Sequence, residues 1–229
     1  MAVNFVERID DGVRVRNVLA SVSEKEGLGR IVPALIRVNP DVKIYSTGGT
    51  YAAIRDMLGA GAGRNLVQVS DYTGQPEMQG GLVKTLDFKI YLGLLSETYN
   101  PAHAGDLERT GAVALDMVIV NLYPFAQTVA KADATPEKAR ANIDIGGPCM
   151  VRASAKNYLR VASVTDPADY DGIIRELEAA KGVLSFETRF RLAQKAFAHT
   201  AAYDAAIAAY LKDRTAADVR TCYQFGNKG

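Results

Sequence analysis

The region around Asp144 combines a carboxylate, a glycine pair, a helix start and two basic side chains. Asp144 stands just before Gly146-Gly147, where the absence of side chains lets the backbone approach a ligand closely. Arg152 and Lys156 are one turn apart in the helix that should follow, so both can lie on the same face. An acid and a lysine next to a helix start predict a proton-transfer site beside an anion site. The alternative is a buried helix that packs through Gly and Ala, with Asp144 as its cap.

A second candidate is the segment Thr47-Gly-Gly-Thr50, which lies between a predicted strand and a predicted helix. It offers backbone N–H groups, two hydroxyls and a helix dipole to an anion such as a phosphate. Lys25 follows the preceding predicted strand and can add positive charge to the same pocket. Both features also have a plainer interpretation, as an ordinary strand–helix turn and a solvated loop lysine.

Three further side chains are suited to catalysis by type, although each is common in a structural role. Lys84 follows Gly80-Gly81, where a lysine is usually just exposed. Tyr123 ends a predicted strand, where a tyrosine more often belongs to the core. His199 lies on an apolar helical face, and we expect it to be structural rather than catalytic. A shared location is what would make these residues a site.

The elements that must position these residues alternate between strands and helices. Such alternation predicts right-handed βαβ units in a doubly wound, mostly parallel α/β sheet with helices on both faces. Ligands bind at the carboxyl ends of the strands in such sheets, so polar segments that follow strands should converge. The predicted strands are 17–23, 41–46, 65–70, 116–122 and 161–165, with a further short one at 90–95; the converging segments are Ser23-Glu-Lys25, Thr47-Gly-Gly-Thr50, Ser70-Asp71 and Asn121-Leu-Tyr123.

The last part of the chain has a different pattern from the rest. Ser185 can cap a long helix with an alanine-rich end that reaches about Leu211. We therefore expect an α/β domain over residues 1–184 and a helical extension over residues 185–229 that packs on it.

Composition excludes several classes of protein. Twenty-seven basic and twenty-six acidic residues give a formal charge of +1, so there is no general basic field to hold nucleic acid. Two cysteines and two histidines without metal-like spacing argue against a zinc site. No signal peptide is evident, and no apolar run approaches the roughly 20 residues of a membrane span. We expect a cytoplasmic protein with no membrane partner.

A series of motifs occurs in unbroken order between about residues 14 and 212. Together they resemble the inosine monophosphate (IMP) cyclohydrolase domain of the bifunctional purine-synthesis enzyme, AICAR formyltransferase/IMP cyclohydrolase. The motifs are Ser21-Val-Ser-Glu-Lys25, Ser46-Thr-Gly-Gly-Thr50, Val69-Ser-Asp-Tyr-Thr-Gly74, Val83-Lys-Thr-Leu86, Asn121-Leu-Tyr-Pro-Phe125, Asn142-Ile-Asp-Ile-Gly-Gly147, Arg152-Ala-Ser-Ala-Lys-Asn157 and Lys195-Ala-Phe-Ala-His-Thr-Ala-Ala-Tyr-Asp204.

The resemblance implies a methylglyoxal-synthase-like α/β fold and a specific reaction. The family closes the second purine ring of 5-formamidoimidazole-4-carboxamide ribonucleotide (FAICAR) with loss of water, giving IMP in the last step of de novo purine biosynthesis. It is formally a hydrolase that acts on a cyclic amidine and runs in the ring-closing direction. The reaction needs no metal, redox cofactor or ATP; it needs positioning, oxyanion stabilisation and proton transfer.

The resemblance also implies a role for each matched side chain. We expect Lys156, paired with Asp144, to carry protons, and Lys84 with Tyr123 to polarise the formyl oxygen. The catalytic group would be Lys84, Tyr123, Asp144 and Lys156; Ser23, Lys25, Thr47, Gly48, Gly49 and Thr50 would hold the ribose phosphate; and Thr85, Asn121 and Ile145 would contact the nucleotide.

One segment departs from the family pattern. The family usually has Arg-Val-Lys-Thr-Leu-His-Pro-Lys-Val-His where this chain has Leu82-Val-Lys-Thr-Leu-Asp-Phe-Lys-Ile-Tyr91. An apolar leucine thus replaces a guanidinium, and both histidines are absent. Arg64 and Lys89 are the candidates to compensate for the lost charge.

The family's cyclohydrolase is commonly fused to a formyltransferase domain of several hundred residues. We therefore expect a stand-alone cyclohydrolase without a formyltransferase domain, supplied with FAICAR by a separate formyltransferase protein. The expected ligands are purine nucleotides, and the sequence leaves the oligomeric state open, with a homodimer as one option.

Two other functions remain open at this stage. One is a catalytically impaired nucleotide-binding regulatory module of the same fold, if the Leu82–Tyr91 segment has disabled the site. The other is a phosphate-eliminating synthase that acts on a triose phosphate, which the motifs Asn121-Leu-Tyr-Pro124 and Asp144-Ile-Gly-Gly147 disfavour.

Overall fold

The computed structural model describes residues 5–75 and 84–226 of the chain. Within these residues, five strands form one parallel sheet, and two short strands form an antiparallel pair. The strands are β1 (Val13–Arg14), β2 (Asn17–Val22), β3 (Lys43–Ser46), β4 (Leu66–Gln68), β5 (Met117–Asn121), β6 (Ala162–Val164) and β7 (Val183–Leu184). The parallel sheet has the order β4-β3-β2-β5-β6, and β1 pairs with β7.

Helices connect the strands and cover both faces of the sheet. None of the described helices is long and apolar enough to cross a membrane. The helices are α1 (Leu28–Val38), α2 (Gly48–Leu58), α3 (Ala62–Asn65), α4 (Val69–Thr73), α5 (Phe88–Leu95), α6 (Pro101–Thr110), α7 (Phe125–Val129), α8 (Pro136–Ala141), α9 (Gly146–Lys156), α10 (Tyr170–Ala179), α11 (Phe186–Lys212) and α12 (Ala216–Arg220).

Neighbouring residues of the central strand β2 serve two different cores. Val18 and Ala20 pack with α1 and α10 on one face of the sheet. Leu19 packs with α5, α9 and α11 on the other face. Side chains alternate between faces along a strand, so a strand that is buried on both faces is apolar at almost every position. The expected parallel α/β sheet with helices on both faces is therefore confirmed.

The long C-terminal helix α11 packs on the sheet, as we expected of the helical part. Ser185 caps it by accepting a hydrogen bond from the backbone N–H of Thr188 (3.4 Å). Ala193 and Ala196 are almost fully buried in the same core as Leu19. The domain boundary at residue 184 stays a prediction.

The strand predicted at residues 90–95 is wrong, because this segment is the helix α5. A short apolar run does not distinguish a buried helix from a buried strand. The informative residue lies just before it: Asp87 caps the helix by accepting the backbone N–H of Lys89 (2.8 Å). Residue Leu82, where the chain departs from the family pattern, lies outside the described residues.

Candidate active site

A cleft of about 580 Å³ opens at the carboxyl ends of β2, β3 and β5. In the sheet order β2 lies between β3 and β5, so the direction of winding reverses beside it. Such a switch point is where doubly wound sheets bind ligands. The start of α9 and the segment at Lys84-Thr85 form the other walls. Among the residues lining the cleft are Ser23, Lys25, Thr47, Gly48, Gly49, Thr50, Lys84, Thr85, Asn121, Tyr123, Asp144 and Ile145.

Lys156 is the predicted site residue that the structure does not bring to this cleft. Asp144 lies just before the start of α9, whereas Lys156 is the last residue of that helix and is exposed. A helix rises about 1.5 Å per residue, so the two ends of α9 are roughly 15 Å apart. Asn157, next to Lys156, bonds to the carbonyl groups of Leu94 and Ser96, far from the cleft lining. The expected pairing of Lys156 with Asp144 is therefore not present in the structure.

Two other expectations about the cleft also fail. Ser70-Asp71 follows the edge strand β4, lies in the first turn of the helix α4 and does not line the cleft. Arg64 forms a salt bridge with Asp41, and Lys89 donates a hydrogen bond to the carbonyl of Tyr72. Neither Arg64 nor Lys89 reaches the cleft, so neither replaces the charge of the missing arginine there.

The cleft wall at the start of α2 is suited to an anion. The first N–H groups of a helix have no intrahelical partner and point outward, at the positive end of the helix dipole. Gly48 is in the left-handed region (φ 48°), and a Cβ there would lie 3.1 Å from the ammonium nitrogen of Lys84. The ammonium of Lys25 lies against the next residue, Gly49. Two lysines and free helix N–H groups thus surround one end of the cleft.

Two of the predicted ligand contacts are instead engaged in holding the loops. The hydroxyl of Thr50 accepts from the backbone N–H of Val22 and donates to its carbonyl, both at 3.0 Å. The side-chain amide of Asn121 accepts from the N–H groups of Ser23 (2.6 Å) and Glu24 (3.0 Å) and donates to the Glu24 carbonyl (2.8 Å). These contacts fix the end of β2 and the loop after it, so Thr50 and Asn121 position the Ser23–Lys25 loop.

The Asp144 carboxylate lines the cleft just before the start of α9. Its Oδ1 accepts a hydrogen bond from the backbone N–H of Gly147 (2.8 Å), so Asp144 also caps the first turn of α9. Burial raises the pKa of Asp144, while hydrogen bonds from the backbone of Gly147 and Tyr123 partly oppose this rise. Asp144 therefore holds the first turn of α9 and also lines the cleft, and its part in proton transfer stays a prediction.

The glycine at position 147 is needed for this carboxylate. A Cβ on Gly147 would collide with the Asp144 carboxylate and would lie 2.6 Å from a methyl group of Leu122. We expected the glycine pair to admit a ligand. In the structure, Gly147 instead makes room for the carboxylate that folds back over the helix start.

Tyr123 stands between this cleft and a second cavity. It is 47% exposed, which excludes the core position that its place at a strand end favoured. The second cavity, about 620 Å³, lies at the carboxyl ends of β5 and β6 against α11 and is also lined by Asp166, Lys195, His199 and Tyr203. His199 has a buried Nε2 without a hydrogen-bond partner among the described residues, and burial lowers its pKa.

The geometry defines a class of protein: a parallel α/β domain in which an anion pocket and a carboxylate line one cleft. Comparison with known families specifies this class. Residues 27–149 match the MGS-like domain and residues 154–228 match the AICARFT/IMPCHase bienzyme. The chain belongs to the MGS-like domain family.

Individual relatives agree with this assignment. The chain is 48% identical over 197 residues to the bifunctional purine biosynthesis protein PurH of Neisseria meningitidis serogroup A, covering 86% of this chain and 36% of the relative. It is 45% identical over 199 residues to PurH of Ruminiclostridium cellulolyticum, covering 87% and 37% respectively. The chain thus spans just over a third of the length of these curated relatives.

A solved structure matches at similar coverage of this chain. The crystal structure of ForH superposes with a TM-score of 0.71 and 32% identity, covering 85% of this chain and 97% of that one. The described fold is therefore shared with ForH, almost all of whose chain is covered by the match.

Proposed function

We propose that this chain is an IMP cyclohydrolase, which closes the ring of FAICAR to give IMP in purine biosynthesis. The observation that carries the proposal is the composition of the cleft. It unites, from five separate parts of the sequence, every site residue that the family resemblance singled out except Lys156. The match to the AICARFT/IMPCHase bienzyme family and the similarity to PurH support the same activity.

The two ends of the cleft suit the two ends of the substrate. The phosphate would lie against Lys25, the Thr47 hydroxyl and the N–H groups at the start of α2, where charge and dipole both favour an anion. The base would then extend toward Asp144, which precedes α9, and toward Thr85, whose hydroxyl lies beside Gly146 at the start of that helix. Charge-assisted hydrogen bonds at the phosphate would hold the reacting groups in register without taking part in the chemistry.

The chemistry requires one new C–N bond and the loss of one water molecule. The carboxamide nitrogen attacks the formyl carbon, giving a carbinolamine; one proton leaves each of the two nitrogens, and the former formyl oxygen departs as water. A carboxyl group with a raised pKa exchanges protons more readily near neutral pH. Asp144 would therefore move protons between the attacking nitrogen and the leaving oxygen.

The developing negative charge on the formyl oxygen needs donors. Tyr123 lines the cleft and carries a phenol suited to this task, whereas the ammonium of Lys84, expected to share it, lies beside Gly48 at the anion end. Lys156 has no role in this scheme, because it lies at the far end of α9. The expectations of a separate formyltransferase that supplies FAICAR and of a homodimer stay predictions.

Turnover of FAICAR by the purified chain tests the proposal. Absorbance reports the formation of IMP, and thermal melting with and without IMP reports binding. We expect both turnover and a stabilising shift of Tm. A shift without turnover would contradict the proposed activity and would identify a nucleotide-binding module, whereas turnover of dihydroxyacetone phosphate would indicate a synthase.

A further inference from the structure

The motif from Lys195 to Asp204 lies on α11 and contributes nothing to the lining of the cleft. One of its residues nevertheless reaches the loop that carries Asp144. The hydroxyl oxygen of Tyr203 accepts a hydrogen bond from the backbone N–H of Asp144 (2.8 Å) and donates to the carbonyl of Asn142 (3.2 Å). A single phenol thus bridges two backbone groups between the end of α8 and the start of α9.

The ring of Tyr203 is itself fixed in the core. Tyr203 is 9% exposed and packs edge-on against Phe125, which is 1% exposed, with ring centroids 6.3 Å apart. Edge-to-face aromatic pairs are favourable and have a defined geometry. The hydroxyl is therefore held in a fixed position. The helix that carries it, α11, packs against both β6 and α9.

The contacts of Asp144 come from three directions. Its carboxylate is fixed by the N–H groups of Gly147 on α9 and of Tyr123 after β5. Its backbone is fixed by Tyr203 on α11. Without the bond to Tyr203, the Asp144 carboxylate would keep its own partners, but the backbone of Asp144 would lose the hydrogen bond that ties it to α11.

We propose that Tyr203 is a positioning residue for the ring-closing reaction, which acts by fixing the backbone of Asp144 from α11. This inference rests on the proposed function, because it assigns Tyr203 a part in the same site. The alternative is that Tyr203 is a core tyrosine whose hydroxyl bonds to the nearest backbone groups. That alternative predicts some loss of stability and no change in the activity of the folded enzyme.

The chain offers a matched control on the same helix. Tyr210 also packs edge-on against Phe125, with ring centroids 5.9 Å apart, but its hydroxyl makes no hydrogen bond to residues 142–144. Tyr203→Phe and Tyr210→Phe therefore remove the same atom from the same helix beside the same aromatic partner. Only Tyr203→Phe removes a contact with the Asp144 loop.

The test compares kcat and KM of the two variants with FAICAR. We expect Tyr203→Phe to lower kcat by about tenfold or more relative to Tyr210→Phe, with KM unchanged within about threefold, because the phosphate contacts lie on other loops. In an Asp144→Asn background, Tyr203→Phe should cause no further loss, since residues that act through one group are not additive. Equal kcat in the two tyrosine variants would overturn the inference, as would an undiminished effect in the Asp144→Asn background.

Absence of turnover in the wild-type chain would contradict the proposed function and not the positioning role. Amide hydrogen exchange then decides the inference, because it measures how firmly the loop is held. Exchange in a peptide spanning residues 142–147 should be faster in Tyr203→Phe than in Tyr210→Phe. Equal exchange rates in the two variants would overturn the inference.

Discussion

Polar residues have opposite roles at the two ends of the parallel strands, which are called here the amino edge and the carboxyl edge of the sheet. At the edge where β2 and β5 begin, Asp116 is 4% exposed, accepts the N–H groups of Arg16 and Asn17 (both 2.8 Å) and pairs with Arg160. Nearby, the Arg189 guanidinium is 1% exposed and donates to five backbone carbonyls. Protein groups satisfy the hydrogen-bonding capacity of these side chains, so this edge holds the fold together.

The edge where the same strands end is different. Lys25, Tyr123 and Ile145 are exposed, and Thr47 is only partly buried. Side chains whose donors face a cleft are available to a ligand, whereas side chains that are fully paired with backbone are not. The comparison therefore separates side chains that are open to the cleft from side chains that are bonded to the backbone, and within the cleft Thr50 and Asn121 belong to the second kind.

The comparison predicts that the polar residues where the strands begin, whose hydrogen bonds are formed within the protein, control stability. Asp116→Ala leaves the mostly buried Arg160 without its partner and two backbone N–H groups unpaired, so we expect a loss of about 3–5 kcal/mol in the free energy of unfolding. Urea unfolding measures it, and kcat of the remaining folded protein should not change. Asp41→Ala is the control, since its pair with Arg64 is exposed and should contribute at most about 1 kcal/mol. Similar losses in both variants would contradict the comparison.

At the other edge, loss of a polar group should remove activity and leave the fold intact. Asp144→Asn keeps an oxygen that can accept the N–H of Gly147 but cannot transfer protons. We expect kcat for FAICAR to fall by about 10²–10⁴-fold, the usual contribution of a general acid or base. A rate within threefold of wild type would show that another group transfers the proton.

The anion end of the cleft should control KM. Lys25→Ala removes a charge-assisted contact to phosphate, of about 1.5–3 kcal/mol, and should raise KM by roughly 10–100-fold with little change in Tm. Lys43→Ala is the matched control, because Lys43 begins β3 at the opposite edge, where it bonds to the carbonyl of Arg64. If both substitutions raise KM equally, general charge rather than the pocket attracts the substrate.

A functional carboxylate should also have a cost in stability. Because burial raises the pKa of Asp144, the folded state holds its proton more tightly than the unfolded state, and stability falls as pH rises from the ordinary value of 3.8 through the raised pKa. Asp144→Asn should therefore have a higher Tm than wild type at pH 7.5. This difference should shrink toward pH 4, and a lower Tm for the variant at pH 7.5 would refute the assignment.

The smallest effect is expected at Lys156. Family resemblance assigns it to catalysis, but it lies at the end of α9 remote from Asp144. Lys156→Ala should leave kcat within about twofold of wild type, measured beside Asp144→Asn. A loss of tenfold or more would show that Lys156 takes part in the reaction, although the length of α9 separates it from Asp144.

Much of this organisation could be predicted from the sequence. The parallel α/β sheet follows from apolar strands that alternate with helices, and the convergence of Lys25, Thr47 and Tyr123 follows from their positions after strands. Local pattern could not distinguish the helix α5 from a strand, because its apolar residues surround the helix on all sides. Local pattern also could not place Lys156. The pattern shows which face of α9 a residue lies on, but the distance of Lys156 from Asp144 depends on the length of the helix.

Tyr203 illustrates a different limit. The motif that contains it is part of the family resemblance, but its hydroxyl contacts Asp144 across 59 residues of sequence, and no periodicity predicts such a contact. Likewise, the availability of a side chain depends on its partners, so Asn121 and Ser23 looked equivalent until their hydrogen bonds were known.

A crystal structure of the chain with bound IMP tests the central claim most directly, because that claim concerns where the nucleotide lies. We expect the phosphate against Lys25 and the backbone N–H groups of Gly48 and Gly49, with the base within hydrogen-bond distance of Asp144 or Thr85. A nucleotide bound in the second cavity beside His199, or near Lys156, would contradict the account.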